Sequence, residues 1–170
     1  MQSLKKAASF GAAAAMLFVW APAANAQDVT RLGSSGSVIA DAVTVPPGYT
    51  TYYISGTPAS PVDPSAPPGS PQRMGDTPAQ TASSLDKIEK ILAQLGLNFG
   101  DVVKATVFMA GDPAKNGDLD FSGMNSEWRK RFGTQSQPNK PARSTVKVAS
   151  LVTRGGLVEI EMVAVKKIAP

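Results

Sequence analysis

The sequence contains no cysteine and no histidine among its 170 residues. The absence of cysteine excludes disulfide bonds, thiol nucleophiles and thiolate metal sites. The absence of histidine removes the commonest general base and the commonest transition-metal ligand, so Ser-His-Asp and Cys-His machinery is excluded as well. Any catalysis must therefore depend on arginine, lysine, carboxylates, hydroxyls, backbone groups or bound water.

Charged residues are also scarce, at 18% of the sequence, and the formal net charge is +4. Two of the cations, Lys5 and Lys6, stand before a short apolar run, Ala7 to Trp20, which is followed by Ala24-Asn25-Ala26. This order is typical of a secretory signal peptide that is cleaved after Ala26. The run is shorter than the roughly 18 apolar residues of a spanning helix. The alternative interpretation is an uncleaved membrane anchor.

The chain that remains after cleavage is nearly neutral. Residues 1–26 hold two lysines and no acid, so residues 27–170 carry a net charge of +2. A charge this small does not favour nucleic acid or an anionic membrane as a partner. We therefore expect residues 27–170 to form one exported, soluble domain, secreted or periplasmic, with no nucleic-acid partner and no membrane contact after cleavage.

Hydrophobic periodicity and turn residues predict the order β-β-α-β-α-β-β. The strands are expected around 36–45, 49–56, 102–109, 142–151 and 157–166, and the helices around 77–95 and 119–132. This order is typical of an α+β domain in which both helices pack on one face of a sheet. No glycine-rich phosphate loop and no paired-carboxylate metal motif is present.

A proline-rich segment, residues 57–77, precedes the first helix. Seven of the 14 prolines lie between Gly56 and Pro78, which argues against a helix or an inner strand there. It is interpreted as a long surface loop: a lid, a subunit-contact arm or a flexible insert without a role. The helix after it is expected to begin with Thr77 as N-cap, Pro78 as first helical residue and Gln80 completing a capping box.

Aromatic residues mark the second helix. Phe121, Met124, Trp128 and Phe132 recur at helical spacing. Such a stripe is more often a buried face than a cofactor site, so we assign it to the core.

The candidate chemistry lies in the last two predicted strands. Arg143 is interpreted either as part of a salt bridge or as a planar fork that holds a carboxylate through two hydrogen bonds. Glu159 and Glu161 share one strand face, either as a solvent-facing pair or as partly desolvated carboxylates suited to acid-base work. If the last two strands formed a simple hairpin, Glu159 would face residues near 151 or 152. Those residues would lie about 26 Å along the strand from Arg143. Either the two strands are not neighbours, or the site joins two subunits.

These residues resemble a known family, the RidA/YjgF (Rid) enamine/imine deaminases. The resemblance rests on PARSTVKV from Pro141 to Val148, on VEIEM from Val158 to Met162, on SLDKI from Ser84 and on GDVVKATVFM from Gly100. The connecting loops 57–77 and 111–118 are longer than those of the family.

The resemblance implies a chorismate-mutase-like α+β fold assembled as a homotrimer with clefts between subunits. It also implies hydrolysis of 2-imino or 2-enamino acids to 2-oxo acids and ammonia without a cofactor or metal. By the same resemblance, Arg143 binds the substrate carboxylate and Glu159 orients or activates water. Ser55, Gly56, Asn125 and Thr145 would shape the pocket around an imino or keto acid. Thr145 stands where the family often has cysteine, which leaves the substrate open.

Two other functions remain alternatives. A non-catalytic trimer would bind a small carboxylate or a protein partner in the same cleft. Ribonuclease activity, for which parts of the family are named, fits poorly with a charge of +2, no histidine and no basic aromatic stripe.

Overall fold

The computed structural model describes residues 28–169, so the expected signal peptide, residues 1–26, lies outside the described residues. The elements in chain order are β1 (Thr30–Leu32), β2 (Ala42–Thr44), β3 (Tyr49–Pro58), α1 (Pro71–Met74), α2 (Thr77–Gln94), β4 (Val102–Met109), α3 (Phe121–Trp128), β5 (Ala142–Lys147) and β6 (Val158–Lys167). Short 3₁₀ turns stand at Phe99–Asp101 and Pro113–Lys115. None of the helices in the described range is long and apolar enough to span a bilayer.

The main sheet has four strands in the order β3-β6-β4-β5. Strand β6 runs antiparallel to both β3 and β4, whereas β4 and β5 are parallel. The mixed sheet and the α+β class are as the sequence predicts. Because β4 lies between β5 and β6, the last two strands of the chain are not neighbours, which is the first of the two alternatives left open by the distance argument.

Both long helices cover one face of this sheet. Side chains alternate across a strand, and the members of β4 and β6 that face the helices form the core with α2 and α3. That core includes Leu85, Ile88, Leu92, Ala105, Val107, Met109, Met124, Trp128, Val158, Ile160 and Met162. Within the described chain the opposite face carries no helix, and it presents large side chains such as Tyr53, which is 82% exposed, and Val146.

The predicted first strand, residues 36–45, is wrong in extent. Only Ala42–Thr44 is a strand, and it pairs with β1 in a separate two-stranded ribbon. Ala40 makes a single parallel bridge to Ala142 at the edge of the main sheet. The residues just before this ribbon strand use their backbone donors elsewhere, because the N–H of Ala40 donates to Pro141 and that of Asp41 donates to Leu32, so one continuous strand does not form.

The start of α2 differs from the predicted capping box. Asp76, not Thr77, is the N-cap, and Pro78 is consequently the second helical residue. Gln80 is fully buried instead of capping the helix. Its Oε1 accepts a hydrogen bond from the backbone N–H of Leu157 (2.7 Å), and its amide donates to two loop carbonyls. Gln80 therefore ties the helix to the loop that precedes β6.

The proline-rich segment contains a helical turn that the sequence analysis excluded. Pro71 opens α1 at a position where no backbone donor is needed, so proline is tolerated there. Arg73 then donates to the carbonyls of Pro64 and Ala66. The segment is thus folded back on itself by its own hydrogen bonds.

Candidate active site

Arg143 lies on β5, opposite Ala105 of β4, and its side chain is therefore on the face of the sheet that carries the helices. Its Nη2 donates a hydrogen bond to Oδ1 of Asn125 in α3 (2.8 Å). The centre of its guanidinium lies 4.5 Å from the centroid of the Trp128 ring and 5.8 Å from that of Phe121. Stacking and the amide acceptor together fix the orientation of the guanidinium.

Thr145 lies two residues further along the same face of β5. Its Oγ1 and the Nε of Arg143 are both buried, and neither has a hydrogen-bond partner within residues 28–169. A buried donor without a partner is costly, so the two atoms indicate a place for a polar ligand. We refer to Arg143, Asn125 and Thr145 as the arginine cluster.

The guanidinium of Arg143 is not neutralised by the described part of the chain. The ion pairs there are Lys130–Glu127, Arg131–Asp86 and Lys167–Asp28, and none of them includes Arg143. Burial, and then the positive charge of Arg129, lower the pKa of Arg143 to about 10. The group is still a cation at neutral pH, so the arginine cluster offers a partly desolvated positive charge to an anion.

Glu159 lies on β6, opposite Phe108 of β4 and Pro58 of β3. The pairing of β3 with β6 is interrupted between Ile54 and Thr57, so Ser55 and Gly56 form a bulge beside the glutamate. A Cβ atom at position 56 would overlap the Glu159 carboxylate, which explains the glycine. We refer to Ser55, Gly56 and Glu159 as the glutamate cluster.

Burial separates the two carboxylates of β6. Glu159 is half-buried, whereas Glu161, on the same strand face, is exposed. Glu159 therefore has the more enclosed position of the two.

The two clusters lie on opposite faces of one sheet. Arg143 shares its face with Ala105, whereas Glu159 shares its face with Phe108, and alternation puts Ala105 and Phe108 on opposite sides of β4. Strand β4 also separates them laterally, by two strand spacings or about 10 Å. The structure thus brings Asn125 to Arg143, with Thr145 two residues along the same strand face, and it brings Gly56 to Glu159, with Ser55 next to Gly56 in a bulge opposite Glu161. One chain does not bring Arg143 to Glu159.

Phe121 and Trp128 do not fit the assignment of a simple inner stripe. Phe121, expected in the core, is 47% exposed because it is the first residue of α3, after the N-cap Asp120. Trp128 is buried as expected, but its ring also lies under Arg143. The sequence signal for the contact of Trp128 with Arg143 is that Trp128 follows Asn125 by three residues, because residues three apart share a helix face.

A separate cavity of about 700 Å³ lies near the start of α2. Residues of the 57–77 and 111–118 loops line it together with Gly155, Gly156 and Leu157, and none of the predicted site residues does. Its two carboxylates, Asp76 and Asp112, each accept a hydrogen bond from a nearby backbone N–H. Asp76 caps the start of α2, and Asp112 caps the 3₁₀ turn Pro113–Lys115. Because both carboxylates have this structural role, we place the candidate site at the arginine cluster and the glutamate cluster instead.

A model of the endoribonuclease L-PSP family matches residues 48–166, which is more than half of the chain. The chain belongs to this family. The matched residues include all members of both clusters. Solved structures of the family, under the name YjgF, also share the fold.

Curated relatives match about half of the chain. A RutC family protein of Haemophilus influenzae is 42% identical over 93 residues, which is 54% of this chain and 65% of that protein. A 2-iminobutanoate/2-iminopropanoate deaminase of Escherichia coli is 39% identical over 93 residues, 54% of this chain and 66% of that protein. The match therefore spans just under two thirds of the length of these relatives.

Two solved structures of the family show the same fold. The YjgF gene product of E. coli is 28% identical with a TM-score of 0.51, over 81% of this chain and 99% of that chain. A YjgF/YER057c/UK114 family member of Mycobacterium tuberculosis is 27% identical with a TM-score of 0.50, over 81% and 98% of the two chains. These likenesses confirm the predicted RidA/YjgF family and its α+β fold.

Proposed function

We propose that the protein hydrolyses 2-imino or 2-enamino acids to 2-oxo acids and ammonia. The observation that carries the proposal is the guanidinium of Arg143, which is partly buried, has no carboxylate partner in the described chain and keeps Nε unpaired. The carboxylate of a 2-imino acid would accept two parallel hydrogen bonds from this group. The name of the E. coli relative, an imine deaminase, supports the same chemistry.

The reaction demands little of the protein beyond positioning. The imine carbon is already electrophilic, so a held substrate and a placed water supply most of the catalysis. Water adds to this carbon to give a carbinolamine, the C–N bond then breaks, and ammonia leaves as the C=O bond forms. Glu159 relays a proton twice: first from the attacking water to the imine nitrogen, which gives the carbinolamine, and then from the carbinolamine hydroxyl to the same nitrogen as the C–N bond breaks. One carboxylate therefore carries out the proton transfers, and no histidine or cysteine is required.

We further propose that the working unit is a homotrimer. Arg143 is on the edge strand β5, and the glutamate cluster is near the opposite edge of the sheet, on the face that carries no helix. A head-to-tail contact that closes into a ring would set the arginine cluster of one subunit against the glutamate cluster of the next. The same contact would cover exposed side chains such as Tyr53.

Export is a separate part of the proposal. The order of charged, apolar and small residues in 1–26 supports a signal peptide cleaved after Ala26 and a secreted or periplasmic location. Mass analysis of the mature N-terminus in fractionated cells tests this. A mature protein that still begins at Met1 in the cytosol would contradict it.

A non-catalytic carboxylate-binding trimer is the second candidate. It is favoured by one observation, namely that the anion-binding arginine cluster is complete within one chain whereas Glu159 lies on the other face. We do not propose the RNA cleavage that the family's descriptive name mentions, because the sequence has no histidine and nearly balanced charge.

The two candidates separate in one experiment. Ammonia release from freshly generated 2-iminobutanoate is measured with the purified protein and with Arg143→Ala. Acceleration by the wild type alone supports the deaminase. Saturable binding of 2-oxobutanoate without any acceleration over buffer supports the non-catalytic binder instead.

A further inference from the structure

A second arginine stands beside the arginine cluster. Arg129 is the C-cap of α3, directly after Trp128, and its backbone N–H donates to the carbonyl of Asn125 (3.1 Å). Residues four apart on a helix lie one above the other on the same face. The side chain of Arg129 therefore shares a helix face with that of Asn125, the residue that accepts from Arg143.

Arg129 differs from the two cations that follow it. Lys130 pairs with Glu127 (2.6 Å), and Arg131 pairs with Asp86. Arg129 has no ion pair within residues 28–169. Of three consecutive cations, the one that shares a helix face with Asn125 is thus the one that the described chain leaves without a carboxylate.

Two guanidinium groups close together without counter-ions repel each other. The charge of Arg129 is the second cause, after burial, of the lowered pKa of Arg143. Bringing anions to both groups would remove the repulsion and gain charge-assisted hydrogen bonds. A substrate with one carboxylate would neutralise only one of them.

From this arrangement we infer that the preferred substrates are 2-imino dicarboxylic acids, with Arg143 holding the carboxylate next to the imine and Arg129 holding the distal one. The inference rests on the proposed function, because it assigns the substrate class of the same site. Arg129 is exposed, so its guanidinium is accessible to the far end of a ligand that Arg143 holds. Its planar fork matches a carboxylate better than a lysine would.

The test compares two substrates that differ by one carboxylate. The values of kcat/KM for 2-iminoglutarate and 2-iminobutanoate are measured with the wild-type protein, expressed from its full-length sequence, and with Arg129→Gln. The ratio of the first value to the second is compared between the two proteins. We expect the wild type to favour the dicarboxylate and the ratio to fall about tenfold in Arg129→Gln, mostly through KM for 2-iminoglutarate. Lys130→Gln removes the same charge from a residue already paired with Glu127, and it is expected to leave the ratio unchanged.

Three outcomes overturn the inference: a ratio near one in the wild type, a ratio that Arg129→Gln does not change, or an equal fall with Lys130→Gln, which would show a general charge effect.

If neither substrate reacts faster than in buffer, the proposed function fails. The assignment of Arg129 to a distal carboxylate is then decided by calorimetry with 2-oxoglutarate and 2-oxobutanoate. It stands if Arg129→Gln selectively weakens 2-oxoglutarate, and it falls if both ligands respond alike.

Discussion

The arginine cluster and the glutamate cluster are built in opposite ways. The arginine cluster is enclosed: an aromatic ring stacks on Arg143, the Asn125 amide accepts from it, and helices cover that face of the sheet. The glutamate cluster lies on the face without a helix, at a bulge whose Ser55 and Gly56 are exposed. One cluster is ready to bind an anion in a single chain, whereas the other needs a covering partner.

Under the proposed function, this difference assigns substrate capture and water placement to opposite faces of the sheet. Substrate capture requires a desolvated cation, which the helix-covered face supplies. Placement of the attacking water requires a carboxylate with room beside it, which the glycine bulge supplies. Because the desolvated cation and the carboxylate lie on opposite faces of the sheet, catalysis under the proposed function depends on the assembly of several chains.

The largest effect is expected from Arg143→Ala. Loss of two charge-assisted hydrogen bonds should lower kcat/KM for a 2-imino acid at least about a hundredfold. Arg143→Lys keeps the charge without the fork and should be intermediate. Sedimentation of the same variants checks that the assembly persists. Activity within twofold of the wild type in Arg143→Ala would remove the role of the arginine cluster.

The next largest effect is expected from Gly56→Ala. The added Cβ must displace the Glu159 carboxylate, which is the far end of a flexible side chain, so its position changes with little loss of stability. We expect kcat to fall about tenfold or more. Gly36→Ala is the matched control, because nothing lies within 4 Å of a Cβ built there. Equal rates for the two variants would show that the position of Glu159 does not matter.

Asn125→Asp is expected to have a smaller effect, which raises stability and lowers ligand affinity. The new carboxylate would neutralise Arg143 and compete with the ligand, so the protein should become more stable while 2-oxobutanoate binds about tenfold more weakly. Asn125→Ala removes the acceptor without adding charge and should change binding less. Thermal unfolding and calorimetry on the same samples measure both effects. Unchanged affinity in Asn125→Asp would contradict a ligand carboxylate at Arg143.

The smallest effect is expected from pH. The pKa of Arg143 is lowered to about 10, so Arg143 is a cation throughout the neutral range. Carboxylate affinity should therefore show no contribution from this group near pH 7 and should decline as the pH rises past 10. Over the same rise the free energy of unfolding should gain a contribution, because the unfolded chain holds this proton more tightly than the folded one. Arg143→Ala should lack both effects.

The sequence was most informative about individual elements. Turn residues with β-branched and aromatic residues predict the strand that begins at Tyr49, and a nearly continuous apolar run predicts the one at Val102–Met109; the structure confirms both. Alternation along a strand also accounts for Arg143 and Thr145 lying on one face of β5. These features depend on neighbours in the chain, so local patterns suffice to predict them.

The relation between the clusters was beyond local patterns. Which face of the sheet Arg143 or Glu159 occupies depends on pairing with residues of β4 that are distant in sequence. The roles of Gln80 and Phe121 were misassigned for a related reason: one is fixed by a contact 77 residues away, with Leu157, and the other by the point at which α3 begins. Tertiary contacts override local preference at such positions.

The central claim, a site shared between subunits, is tested most directly by complementation. Arg143→Ala and Glu159→Gln chains are each assayed alone and after co-expression in equal amounts. If each site takes Arg143 from one subunit and Glu159 from the next, about a quarter of the sites in random mixed trimers hold both residues. We therefore predict that the mixture regains about a quarter of wild-type activity. A mixture as inactive as its separate parts, with mixed assemblies confirmed by mass, would contradict the account.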